Sequence, residues 1–77
     1  MAVSAYVFID CAQGKALDVA NKLKSLDNVG SCHAVTGPVD VIAFIDSPDI
    51  NELGKFVVEK VQSTPGVLRT STNIVAG

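Results

Sequence analysis

Four positions in this chain combine residue types that could hold a small charged molecule: Gly37 and Asp40 in the stretch Thr36-Gly37-Pro38-Val39-Asp40, and Thr70 and Thr72 in Thr70-Ser71-Thr72. A glycine without a side chain lets a ligand approach backbone N–H groups, and a carboxylate at the start of the next strand can pair with an ammonium group. In an extended segment Thr70 and Thr72 share a face while Ser71 points away, so the two threonines are the hydroxyls that could act together on a carboxylate. Each feature also has a plainer reading. Gly supplies unusual backbone angles, Asp favours loop ends, and Thr suits strands whether or not anything binds. A loop-end Asp40 should also be replaceable at a cost within about 1 kcal/mol.

No set of catalytic residues emerges. His33 is the sole histidine and has no second His or neighbouring Cys at ligand spacing; it reads as a solvated edge residue. Cys11 and Cys32 are far apart and form no C-x-x-C unit, so they read as small buried hydrophobes rather than a metal site or redox dithiol. The chain has no Ser/His/Asp set and no paired carboxylates in a polar cluster. The expectation is therefore a protein that is not an enzyme, without catalytic residues, metal or cofactor.

The elements that must position the four residues follow from periodicity. Val3 to Cys11 is rich in β-formers and ends at a turn, Ala12-Gln13-Gly14. From Lys15 the period becomes helical, with Ala16, Val19, Ala20, Leu23 and Leu26 on one face, until Asp27-Asn28. Strands are expected over Val29–Thr36, Val41–Asp46 and Val67–Val75. Between the last two, Asp49 stands three residues before Glu52 at the start of a second helix, whose buried stripe is Ile50, Leu53, Val57 and Val61, with Phe56 alongside. Thr64-Pro65-Gly66 ends it. The order is βαββαβ, an α+β ferredoxin-like fold with a four-stranded antiparallel sheet and two helices on one face.

Right-handed crossovers place the first and third strands in the middle of that sheet. Both are apolar on both faces: Val3, Ala5, Val7 and Ile9 oppose Tyr6 and Phe8, and Val41, Ala43 and Ile45 oppose Ile42 and Phe44. Helices can cover only one side. With 48% hydrophobic residues in 77, the other side calls for a second copy, its sheet packed face to face in a dimeric α+β barrel, with Tyr6 in that interface. The net charge is −2, and the six Lys and Arg residues are scattered, so there is no basic face for direct nucleic-acid binding. The apolar runs are broken well short of the ~18 residues a membrane helix needs. The chain reads as soluble and cytoplasmic.

The layout Cys-His-Ala-Val-Thr-Gly-Pro-Val-Asp over 32–40, Pro-Gly-Val at 65–67 and Thr-Ser-Thr at 70–72 resembles the effector-binding domain of the leucine-responsive/AsnC (Lrp/AsnC) transcriptional regulators. The resemblance covers nearly the whole chain and leads to the expectation of a single domain over residues 1–77 without the helix-turn-helix unit of the family. It implies a dimer that assembles further into a ring, commonly an octamer of four dimers, with an amino acid held between neighbouring dimers. Gly37 and Asp40 of one subunit and Thr70 and Thr72 of an adjacent one are then the ligand-binding residues. A DNA-binding relative could receive the signal through mixed assembly. Two other readings stand beside it: a purely structural oligomerisation subunit, or a small cofactor-free enzyme of the dimeric α+β barrel type.

Overall fold

The computed structural model describes residues 2–77. Its strands are β1 (Val3–Cys11), β2 (Val29–Ala34), β3 (Val41–Ser47) and β4 (Val67–Ile74). Helix α1 spans Ala16–Lys24, and helix α2, Ile50–Phe56, runs on into a π-helical segment, Val57–Val61. The four strands form one antiparallel sheet in the order β2-β3-β1-β4, with β1 and β3 central as the crossover rule requires.

Register divides the residues between two faces. Ala5 lies opposite Ile45, Val7 opposite Ala43 and Ile9 opposite Val41, and all six are fully buried. Over them lie Val19, Ala20 and Leu23 of α1, and Leu53, Val57 and Val61 of the second helical stretch. Removing one such aliphatic side chain from water contributes roughly 1.5–3 kcal/mol, so this helix-covered layer is the stabilising core. Tyr6 opposite Phe44 and Phe8 opposite Ile42 occupy the other face. The Tyr6 and Phe44 rings stand 4.9 Å apart between centroids, yet Tyr6 remains 47% and Phe8 37% exposed.

Local chemistry explains the ends of the elements. Asp49 caps α2, its carboxylate accepting a hydrogen bond from the Glu52 N–H at 2.8 Å, as the Asp–Glu spacing suggests. Helix α1 stops at Lys24, three residues before Asp27, because the Ser25 hydroxyl donates to the Lys22 carbonyl and tighter turn bonds take over. Strand β2 stops at Ala34 rather than Thr36, where the Val35 N–H turns to the Asp40 carbonyl and closes the loop. Gly66 adopts φ +98°, and its carbonyl accepts from the Ala12 N–H at 2.8 Å, which ties the end of β1 to the start of β4.

One expectation fails in the second helical stretch. Ile50 is 61% exposed instead of buried, because it sits in the first turn and overhangs the free edge of β4. The helix is also not uniformly α: the Gln62 N–H reaches the Val57 carbonyl at 2.8 Å, five residues back, which is the π-helical bond.

Candidate functional site

The loop that carries Gly37 and Asp40 joins β2 to β3 at the end of the sheet where β1 terminates. The β1–β3 ladder ends at the Ile9–Val41 pair, and the β1–β4 register shifts between Asp10 and Cys11. The Cys11 amide therefore has no ladder partner on the β3 side. Asp40 supplies one: its Oδ2 accepts from Cys11 N–H at 2.8 Å, while its own N–H donates to the Ile9 carbonyl at 3.0 Å. The carboxylate is thus clamped in place, and Oδ1 carries no hydrogen bond among the described residues. Gly37, at φ +148°, has open space where a side chain would project.

This clamp gives Asp40 a structural task that a loop-end residue would not have. It also moves a neighbour. Burial, reinforced by the carboxylates of Asp40 and Asp10, pushes the Cys11 thiol above its ordinary range. Burial raises the Cys32 thiol as well, against the opposing pull of Lys24. Both cysteines are free and buried, as their isolation in the sequence suggests.

Thr70 and Thr72 share the helix-side face of β4, opposite Ile9 and Val7. Thr70 accepts from the Gln62 side-chain amide at 3.0 Å and lines a depression of about 390 Å³ with Gln62, Leu68 and Arg69. Thr72 lines a separate apolar groove of about 360 Å³ with Ile50, Leu53, Val57, Val58 and Ile74. Within one protomer the four residues are not one pocket. Gly37 and Asp40 lie on the β3 side of β1, and the threonines lie one strand beyond it on the other side. Gln62 escaped sequence reasoning, because a glutamine at the end of a helix carries no signal until the fold sets it beside Thr70.

His33 is exposed on edge strand β2, beside Ile42 on the sheet face that the helices leave uncovered. Asp10 and Arg69 pair at 2.9 Å on that same face, the one ion pair among the described residues. Among the described residues no group of His, Cys, Asp and Glu is arranged to hold a metal ion. No helix among them is long and apolar enough to cross a membrane.

The βαββαβ order, with one antiparallel sheet whose second face is left uncovered and apolar, defines an α+β ferredoxin-like domain. Residues 4–77 match the Lrp/AsnC ligand binding domain, and the chain belongs to that family. An uncharacterised HTH-type transcriptional regulator of Pyrococcus abyssi is 30% identical over 73 residues, which make up 95% of this chain and 46% of that protein. The chain thus spans about half the length of the curated relatives it matches. A hypothetical protein of Pyrococcus horikoshii, PHS023, has a crystal structure that superposes with a TM-score of 0.90 at 29% identity, covering 97% of this chain and 90% of that one. A transcriptional regulator of Neisseria meningitidis, crystallised as an L-methionine complex, shares the fold with a TM-score of 0.86 at 23% identity, over 97% of this chain and 50% of that one.

Proposed function

We propose that this domain binds a free amino acid between copies of itself, and that occupancy of this site biases its assembly and, through it, a DNA-binding relative. The observation that carries this reading is the Asp40 carboxylate. One oxygen is fixed by the Cys11 amide and the other has no hydrogen-bond partner among the described residues, in a loop where Gly37 leaves open space. Such a carboxylate is pre-oriented for an ammonium group, which lowers the ordering cost of binding. Thr70 and Thr72 of an adjacent subunit would offer hydroxyls to the ligand carboxylate. The L-methionine complex of the Neisseria regulator supports the ligand class.

The uncovered sheet face supports a dimer. Tyr6, Phe8, Ile42 and Phe44 form a contiguous apolar patch that a second copy would remove from water. A purely structural oligomerisation role is the second reading, and the Asp40–Cys11 clamp favours it, since it gives the carboxylate a purpose without any ligand. A thermal-shift screen of the twenty L-amino acids, with light scattering on the same samples, separates the two. A ligand at 100 times its Kd adds about 2.7 kcal/mol of apparent stability. A screen in which no amino acid raises Tm or changes the mass leaves the structural reading.

A further inference from the structure

Of the sheet's two free edges, only one is guarded. Strand β2 spans six residues, and its register against β3 breaks between Val29 and Ser31, an irregularity that blunts pairing with a further strand. Strand β4 spans eight residues and runs in unbroken register against β1 from Arg69 to Ile74. The Val75 N–H donates to the Ser4 carbonyl. By alternation the main chain of Arg69, Ser71 and Asn73 also faces β1, and that of Thr70, Thr72 and Ile74 faces outward. The strand contains no proline, and its one charge, Arg69, is paired with Asp10.

Beside this edge the helix side is apolar and unfilled. A groove of about 360 Å³ lies between β4 and the second helical stretch, lined by Thr72 and Ile74 from the strand and by Ile50, Gly54 and Val58 from the helix. Ile50 is 61% and Val58 60% exposed. Standing four residues apart, Ile50, Gly54 and Val58 share one ridge of the helix. A glycine inside a helix costs about 1 kcal/mol relative to alanine. Yet a Cβ on Gly54 would meet nothing within 4 Å. Packing within one chain gives no reason for a glycine there, whereas a close neighbour does.

We propose that the β4 edge is a docking surface for a second copy of this chain, the two β4 strands pairing antiparallel about a two-fold axis at Thr72. That register sets Thr72 beside Thr72 of the second copy and Thr70 beside its Ile74, so every outward group of the stretch finds a partner, each pair exchanging two N–H···O bonds. Arg69 falls opposite the uncharged Val75, and no like charges meet. Only the main chain of the threonines is used, and their hydroxyls stay free. The axis stands perpendicular to the sheet, which keeps the helices of both copies on one side. Their Ile50–Gly54–Val58 ridges then meet over the seam, the gap at each glycine admitting an aliphatic side chain of the other copy. One short strand and one helix ridge amount to less than the ~800 Å² per partner of a standard interface. The seam therefore joins face-to-face dimers rather than lone chains, and in that respect it rests on the dimer proposed above.

The test is residue-resolved amide hydrogen exchange, with light scattering on the same samples. In the parent the outward amides of Thr70, Thr72 and Ile74 should be protected. Thr72→Pro removes an outward N–H and no bond to β1, so the chain should still fold. Exchange at Thr70 and Ile74 should then quicken roughly tenfold or more, while Ser71 and Asn73 stay protected and the mass falls to that of the face-to-face dimer. Val58→Lys, at a side chain already exposed in the single chain, should quicken all three outward amides and lower the mass without touching the strand. Unprotected outward amides in the parent, or protection and mass unchanged in both variants, would overturn the seam and leave the face-to-face dimer standing. A mass that grows without limit on concentration, with new protection along β2, would mean that β4 pairs with β2 of the next copy and would overturn the two-fold. A parent that scatters as a single chain would overturn dimer and seam together.

Discussion

Replacing Asp40 separates its two tasks. Asp40→Ala deletes the acceptor that meets the Cys11 N–H at 2.8 Å, in a partly buried setting at the end of β1. Leaving such an amide unpaired costs about 1–3 kcal/mol, and partial access to water holds the cost to the lower half of that range. In a domain of this size each kcal/mol moves Tm by roughly 4–8 °C, so a cost of about 1–2 kcal/mol should lower Tm by roughly 4–16 °C. This exceeds what a plain loop-end residue would show. Asp40→Asn keeps an oxygen that can accept from Cys11 but discards the charge, so its Tm should stay within about 0.5 kcal/mol of the parent in stability terms. Both variants should lose amino-acid affinity ten- to hundredfold, the equivalent of about 1.5–3 kcal/mol for a charge-assisted bond. Circular-dichroism melts and titration calorimetry on the two proteins measure both effects. An Asp40→Ala protein that melts with the parent would refute the clamp, and an Asp40→Asn protein that binds as tightly as the parent would refute the ammonium pairing.

Phe8→Asp, on the uncovered face, should convert the assembly to monomer or unfolded chain, since each copy of a two-fold interface loses about 1.5–3 kcal/mol of apolar burial and gains a charge; a mass unchanged from the parent by light scattering would refute the face-to-face dimer. Gly66→Ala should destabilise by about 1–3 kcal/mol, because φ is +98° and a Cβ there would stand 3.0 Å from the Lys15 Cβ and 3.1 Å from the Val19 Cγ2; a denaturant midpoint equal to that of the parent would contradict it. Gly37→Val carries backbone strain without a steric clash, so a loss of stability of similar size should come with weakened amino-acid binding, read by the same melts and titrations. The raised thiols of Cys11 and Cys32 bind their protons more tightly when folded than when unfolded. Stability should therefore be level below about pH 8.5 and fall as pH rises beyond it toward the folded values, and alkylation of the native protein at neutral pH should be slow; rising stability above pH 9 would reverse the sign.

Much of this protein was determined by the order of its residues alone. Alternation in Val3–Cys11 and Val41–Asp46 assigned Ala5, Val7, Ile9, Val41, Ala43 and Ile45 to one face and Tyr6, Phe8, Ile42 and Phe44 to the other, because a strand has period two whatever surrounds it. The crossover rule then placed those strands centrally, and the Asp49–Glu52 spacing located the start of a helix through a bond only three residues long. Only the tertiary structure could decide matters that depend on contacts between residues distant in sequence. Asp40 acquired its clamp from Cys11, 29 positions away, where a register shift left an amide unpaired. Gln62 became the partner of Thr70, Ile50 was left overhanging the sheet edge, and Ser47 was buried with no hydrogen-bond partner among the described residues. Periodicity states which way a side chain points; what it meets there depends on how elements of different length and twist end against one another, and no local pattern encodes that.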